Sequence, residues 1–364
     1  MTLAVLAATA VIVSAPFVGQ LRAALRAAFP GRFVTIVGGA VALAIAAAVA
    51  LAIARIGERR AARYGAIAAA LGLGAAYIAL FSTGRPDVDV VERVHFVEYG
   101  LITLLFYRAW RPRNDLSVIA LPILAGLLVG TLEEGFQWFL PVRVGEARDV
   151  FLNLTAIACG LLFSLGLAPP ASFAYRFRRG SVRLVSGLVC GFVLVFAAFV
   201  HAVHLGVEVR ADAIGSFRSR YDRAALSAHA RDRAERWREQ PPIVLRRLSR
   251  EDQYMDEGLW HVRRRNDAWA ADDFFTAWRE NRILEEFFAP VLEAPSYVSK
   301  SGHRWPPEQR ADAERRAAAG ERPYVSDAEP RPILLWSKLR FWGVTLAAIA
   351  LIAVAGAVAE AYHR

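Results

Sequence analysis

The sequence predicts an all-α fold: a polytopic helical membrane protein of about eight spans, with a helical extracytoplasmic domain between the last two. Three observations carry this reading. Of the 364 residues, 55% are hydrophobic, and they gather in long runs nearly free of charge. The charged stretch between the last two runs has no spanning segment, and its apolar residues recur at helical three- and four-residue spacing. Only two cysteines occur, and the composition fits neither a disulfide scaffold nor a collagen-like or disordered chain.

A helix needs about 20 predominantly apolar residues to cross a hydrocarbon core near 30 Å thick. Eight segments approach this: residues 2–19, 33–54, 64–82, 94–110, 117–140, 150–167, 184–205 and 341–359. The first lacks a basic flank, and Pro16 directly after Ala15 disfavours cleavage, so it reads as a retained span and not a signal peptide. The second is almost purely Ala, Val, Ile and Leu. The fourth and fifth are less apolar because they carry His95, Glu98, Glu133 and Glu134. Cys159 and Cys190 lie in the sixth and seventh and read as packing residues.

A net charge of +10 would suit a nucleic-acid binder, but its location excludes that. Residues 206–331 hold 23 acidic and 23 basic side chains, so the whole excess belongs to the membrane part. Lysine occurs only at Lys300 and Lys338; the other 42 basic residues are arginine, a skew that reads as a GC-rich genome. The loops 55–63, 108–115 and 176–183 are strongly basic and are expected on the cytoplasmic side. Strict alternation then puts both termini inside and residues 206–332 outside. One loop disagrees, because Arg22, Arg26 and Arg32 fall on the outer side.

The chain divides into residues 1–89 with three spans, 90–167 with a polar motif, 168–205, the soluble domain 206–332, and 333–364. Within the soluble domain, residues 214–238 and 251–291 read as helical. Ser249 and Asp252 resemble a capping pair, and Pro306-Pro307 opens a helix over 308–319, with a loop over 294–305 before it. Tyr254, Trp260, Trp269, Phe274, Phe275, Trp278, Phe287 and Phe288 have the spacing of a small core, or of a binding face.

Ionisable groups inside spans are costly and commonly mark a site. His95 and Glu98 share a helix face at the start of span four; Glu133, Glu134 and Gln137 lie toward the end of span five; Asp149 and Asn153 open span six, with Arg143 in the loop before it. By alternation these three helix ends lie on one side, the side expected to carry the soluble domain. They predict an outward-facing polar pocket beneath a helical roof. Each residue also has a structural role open to it. Glu133 or Glu134 can pair with Arg143 or Arg148, Asp149 can cap a helix, Asn153 can bond across helices, and His95 can sit neutral at the interface.

The pattern His95-Phe-Val-Glu98-Tyr99, then Glu133-Glu134-Gly-Phe-Gln137, Pro141-Val-Arg143, Asp149 and Asn153 resembles the VanZ-like membrane proteins. The resemblance covers roughly residues 90–167, under a quarter of the chain. Glu133-Glu134 stands where an Asp-Glu pair is common, Val142 where a glycine is common, and Ala156 is the small residue after Asn153. The family is named for a protein linked to resistance to the glycopeptide antibiotic teicoplanin. The resemblance therefore implies a role in the bacterial cell envelope and a place in the plasma membrane.

The function expected is recognition of a lipid-linked or cell-wall-related ligand by His95, Glu98, Glu133, Glu134, Gln137, Arg143, Asp149 and Asn153. Two alternatives stand beside it: a membrane enzyme acting on an envelope lipid or glycan head group, and an accessory subunit docking a protein partner through residues 206–332. The sequence contains no nucleophile elbow, Gly-rich phosphate loop or His-Glu-x-x-His motif. A transporter fits less well, since the charges sit at one face and not at the midplane. No cofactor is implied. His201 and His204, three apart, are weak candidates for a metal site, a spacing common by chance. The partners expected are membrane lipids, the lipid-linked or cell-wall ligand and a protein partner of the 206–332 domain, with no nucleic acid.

Overall fold

A computed structural model describes residues 1–138, 147–239, 253–294, 299, 301–317, 323–328 and 332–362. Of these, 79% are helical. Among the described residues seven helices are long and apolar enough to cross a membrane, which makes the chain a helical membrane protein. They are α1 (Thr2–Ala28), α2 (Phe33–Arg55), α3 (Arg60–Phe81), α5 (Ser117–Trp138), α6 (Ala147–Leu167), α7 (Arg179–His204) and α13 (Lys338–Tyr362). The span expected at 94–110 lies in α4 (Pro86–Trp110), which is continuous but too polar to qualify alongside them. Its sequence carries Asp87, Asp89, Glu92, Arg93, Glu98 and Arg108.

The chain separates into two compact units. The first comprises Met1–Gln137, Val144–Phe199 and Trp342–Arg364. In it α4 packs on α1, α2 and α6, and α6 packs on α3. Neighbours cover one face of α4, so Tyr99, Thr103 and Tyr107 on it are fully buried, while Leu101 stays exposed. Glycine sets its approach to α6: a Cβ at Gly160 would lie 2.8 Å from the Cα of Gly100. Small residues at such crossings let helix backbones close on each other in lipid. Farther along α6, Arg63 of α3 donates to the carbonyls of Gly166 (2.8 Å) and Leu167 (2.6 Å). These are among the last carbonyls of the helix, which lack intrahelical donors.

Hydrogen bonds also tie loops together at the two ends of this unit. Asp115 accepts from the Ser117 backbone and hydroxyl and from the Arg178 N–H (2.8 Å), and Arg113 donates to Ser181 (3.0 Å). The basic loops expected on a common side are thus joined. At the opposite ends of the helices, α1 continues through Arg22 and Arg26. Arg26 pairs with Asp87 at 2.6 Å and Arg22 lies 4.0 Å from it. These two arginines, which break the loop-charge pattern, thus share one carboxylate at the start of α4.

The second unit comprises Trp138–Arg143 and Val200–Phe341. Here the wholly helical expectation needs correcting. Val207–Ala211 (β1) and Gly215–Ser219 (β2) form an antiparallel hairpin with Val209 opposite Phe217. The helix expected from 214 begins only at α8 (Arg223–Glu239). Gly215 adopts φ 129°, and a side chain there would collide with the Tyr324 backbone, so the position needs glycine. The helical stretch expected at 251–291 is three helices: α9 (Gln253–Ala270), α10 (Phe274–Phe287) and α11 (Ala289–Glu293). Asp272 in left-handed conformation and Asp273, whose carboxylate accepts from the Thr276 N–H, break α9 from α10. Pro307 opens α12 (Pro307–Ala317) as expected. The Ser249–Asp252 capping pair lies outside the described residues.

Phe217, Leu226, Tyr254, Leu284, Phe287 and Phe288 are central to the core of this unit. Trp269 and Trp278 pack against a smaller cluster around Ala277 and Trp305. Most of the aromatic spacing is therefore core, while Trp260 stays half-buried and stacks under the Arg263 guanidinium.

Candidate polar site in the helix bundle

Three helices of the first unit bring the polar side chains together. The stripe 95, 99, 102, 106 of α4 faces the bundle interior, with Tyr99, Ile102 and Phe106 buried. On α5 the positions 130, 133, 134 and 137 share a face, and Glu133, Glu134 and Gln137 are each less than 5% exposed. Asn153 of α6 is fully buried.

The contacts among them form two short chains. His95 Nδ1 lies 3.0 Å from Asn153 Oδ1. An amide oxygen only accepts, so this nitrogen donates. The Tyr99 hydroxyl donates to Glu133 Oε2 at 2.5 Å, and Gln137 Nε2 donates to Glu133 Oε1 at 2.8 Å. Both oxygens of one buried carboxylate are thereby engaged. The His95 and Tyr99 rings are nearly parallel, 6.1 Å apart, which joins the two chains along α4. Glu98 and Glu134 lie within electrostatic reach of the same tyrosine. Gly130 is the hinge of this packing: a Cβ there would press on Asn153 Nδ2 at 3.0 Å and the Tyr99 hydroxyl at 3.2 Å.

Asp149 belongs to a second group, one turn before Asn153. Arg148 pairs with Glu92 of α4 at 2.8 Å, and Tyr77, Glu92, Arg148 and Asp149 interact electrostatically. Arg148 is thus committed to Glu92 and not to the Glu133-Glu134 pair. Arg143 lies outside the described residues. Of the eight expected site residues, six converge on the Tyr99 neighbourhood and Asp149 joins the adjacent ion group.

Two participants were not among the expected site residues, although Tyr99 stands in the quoted pattern. Tyr99 supplies the central hydroxyl, and its signal was its place four residues after His95, on the same helix face. Glu92 holds Arg148 and lies three residues before His95, ahead of the apolar run expected from 94. In the second unit a further buried network has no motif at all. Glu280 accepts from His261 Nδ1 at 2.6 Å and from the hydroxyls of Tyr324 and Ser326. Arg265, 2% exposed, donates to Asn281 (2.9 Å) and the His303 carbonyl (2.7 Å). Burial lowers its guanidinium pKa to about 10.

Among the described residues no group of three or more His, Cys, Asp or Glu is arranged to hold a metal ion. His204 Nδ1 donates to the Pro332 carbonyl at 3.0 Å, and the His201 ring packs edge-on to Phe341. Both weak metal candidates thus have other contacts. Cys159 and Cys190 are free thiols, and Cys190 Sγ approaches the Ile349 carbonyl at 3.7 Å, against α13.

Chemically the arrangement is a desolvated acid cluster held by neutral donors. Its Glu133 and Glu134 carboxylates are closed off from solvent and Glu133 is already satisfied on both oxygens, and beside an imidazole the cluster has the parts of an acid–base pair. No protein-family model, curated protein or solved structure shows significant similarity to the chain.

Proposed function

We propose that the chain is a VanZ-like integral membrane protein of the bacterial plasma membrane, which binds the polar part of a lipid-linked or cell-wall-related ligand at the His95–Tyr99–Glu133 cluster. The single observation behind this is the meeting of α4, α5 and α6 through His95–Asn153 and Tyr99–Glu133–Gln137. These are residues of the pattern that resembles the family. Buried carboxylates in a membrane helix are costly, and packing alone would be served more cheaply by apolar side chains. In this reading residues 206–332 are extracytoplasmic and Glu98, Glu134 and Asp149 complete the acceptor set.

The test is binding of a panel of envelope lipids to the full chain in lipid nanodiscs. Joint Glu133→Gln, Glu134→Gln and Asp149→Asn replacement is expected to abolish the interaction while the protein still extracts as a folded species. Unchanged binding by that variant would sink the proposal. Multiple turnovers of a head group, lost on replacing His95, would favour the enzyme reading, for which the His95–Asn153 contact is the supporting geometry.

A further inference from the structure

The opposite face of α4 carries a different feature. Arg93, Val97, Gly100 and Leu104 follow one another at four-, three- and four-residue steps, on the side of the helix turned away from His95 and Tyr99. They line a half-enclosed groove of about 550 Å³, closed on its other sides by α2, α3 and α6. Its walls are apolar and mostly small: Ala42 and Ala48 of α2, Ala70 and Gly74 of α3, and Gly160 of α6. From Arg93 to Leu104 the groove runs eleven residues of helix, roughly 16 Å at 1.5 Å per residue. That is about half of a 30 Å hydrocarbon core, the depth of one leaflet.

Charge marks one end. Arg93 is the single charged residue in the lining, and its Nε is buried without a hydrogen-bond partner among the described residues. Asp89, one turn before it, acts on Arg93 electrostatically, but the hydrogen bonds of both acidic neighbours go elsewhere. Asp89 accepts from Ser82 and from the Thr83 N–H and hydroxyl, and Glu92 is paired with Arg148. A guanidinium suits a phosphate oxygen pair, and the groove below it suits a hydrocarbon chain.

We propose that this groove is a binding site for one anionic glycerophospholipid, its phosphate on Arg93 and one acyl chain lying along Val97, Gly100 and Leu104. The site is separate from the polar cluster and does not depend on it. The one charged side chain of the lining, Arg93, at one end of a leaflet-deep apolar groove is the juxtaposition that carries it.

The test is native mass spectrometry of the full chain released from nanodiscs of equal phosphatidylglycerol and phosphatidylcholine. One phosphatidylglycerol per chain is expected to be retained. Arg93→Gln should reduce that retention about tenfold, the loss of a charge-assisted contact, and Arg93→Lys should restore most of it. Gly74→Leu should block the tail. A Cβ at Gly74 meets Phe96 and Cys159 at 3.5–3.8 Å, so the helix accommodates it and the added branches enter the groove. Equal retention of the two lipids, no retained lipid, or wild-type retention by both Arg93→Gln and Gly74→Leu would overturn the proposal.

Discussion

Tyr99 holds the polar cluster together because its hydroxyl is the donor to a carboxylate with almost no access to solvent. Removing that donor leaves Glu133 with the Gln137 amide alone at its described oxygens. A buried acceptor deprived of one partner costs about 1–3 kcal/mol. Tyr99→Phe is therefore expected to lower the melting temperature of the purified protein, and adding Glu133→Gln to recover part of the loss. If the double variant were no better than the sum of the singles, the Tyr99–Glu133 bond would not be the coupling contact. In the second unit Glu280 plays the comparable part with three donors. Glu280→Ala strands His261, Tyr324 and Ser326 together, and a loss of about 3 kcal/mol or more is expected from three buried donors left without their acceptor. Faster proteolysis within residues 206–332 would report it.

At the scale of elements, two devices position the bundle. The first is the α4–α6 crossing, where Gly100 and Gly160 bring the backbones together so that His95 reaches Asn153. Gly160→Val forces these helices apart. Overpacking of this kind costs about 1–3 kcal/mol, and the variant should show a lowered melting temperature together with weakened ligand binding. The second is the Asp115 cap on α5. Burial works against its ionised form, but hydrogen bonds from Ser117, Arg178 and Ser181 outweigh it and hold the carboxyl below the usual range. A depressed carboxyl pKa adds stability that is complete above the unfolded value, about 4, and disappears as pH falls through the lower folded value. Asp115→Asn is thus expected to destabilise the protein at pH 7, with the gap to wild type closing below about pH 4. A gap that stays constant from pH 7 to pH 3 would refute this.

For the molecule as a whole, charge and hydropathy are divided between the two units. The first leaves Leu43, Leu80, Leu351 and many other large apolar side chains exposed, as a surface facing hydrocarbon does. The second buries a mixed apolar and polar core without a disulfide. The proposed topology places this second unit outside the cell. A Ser227→Cys substitution on the exposed surface of α8, in a Cys159→Ala/Cys190→Ala background, is expected to react with a membrane-impermeant maleimide in intact cells. Reaction only after the membrane is permeabilised would reverse the assignment.

The sequence by itself determined the helical membrane class and the positions of seven of the eight expected apolar runs, because hydrocarbon selects for apolar length one segment at a time. It also placed His95, Glu98, Glu133, Glu134, Gln137 and Asn153 near one helix-end level, since helical periodicity and alternation are local rules. What it missed is non-local or too short to show periodicity. The β1–β2 hairpin has only five residues per strand, and its glycine is required by the distant Tyr324 backbone. Arg148 chose Glu92 over the glutamate pair by proximity across α4 and α6. Tyr99, and not a charged residue, became the partner of Glu133 because Gly130 leaves room for its hydroxyl at the crossing. Only tertiary packing decides such pairings, because in a desolvated interior each acid takes the donor that the helix contacts bring within reach.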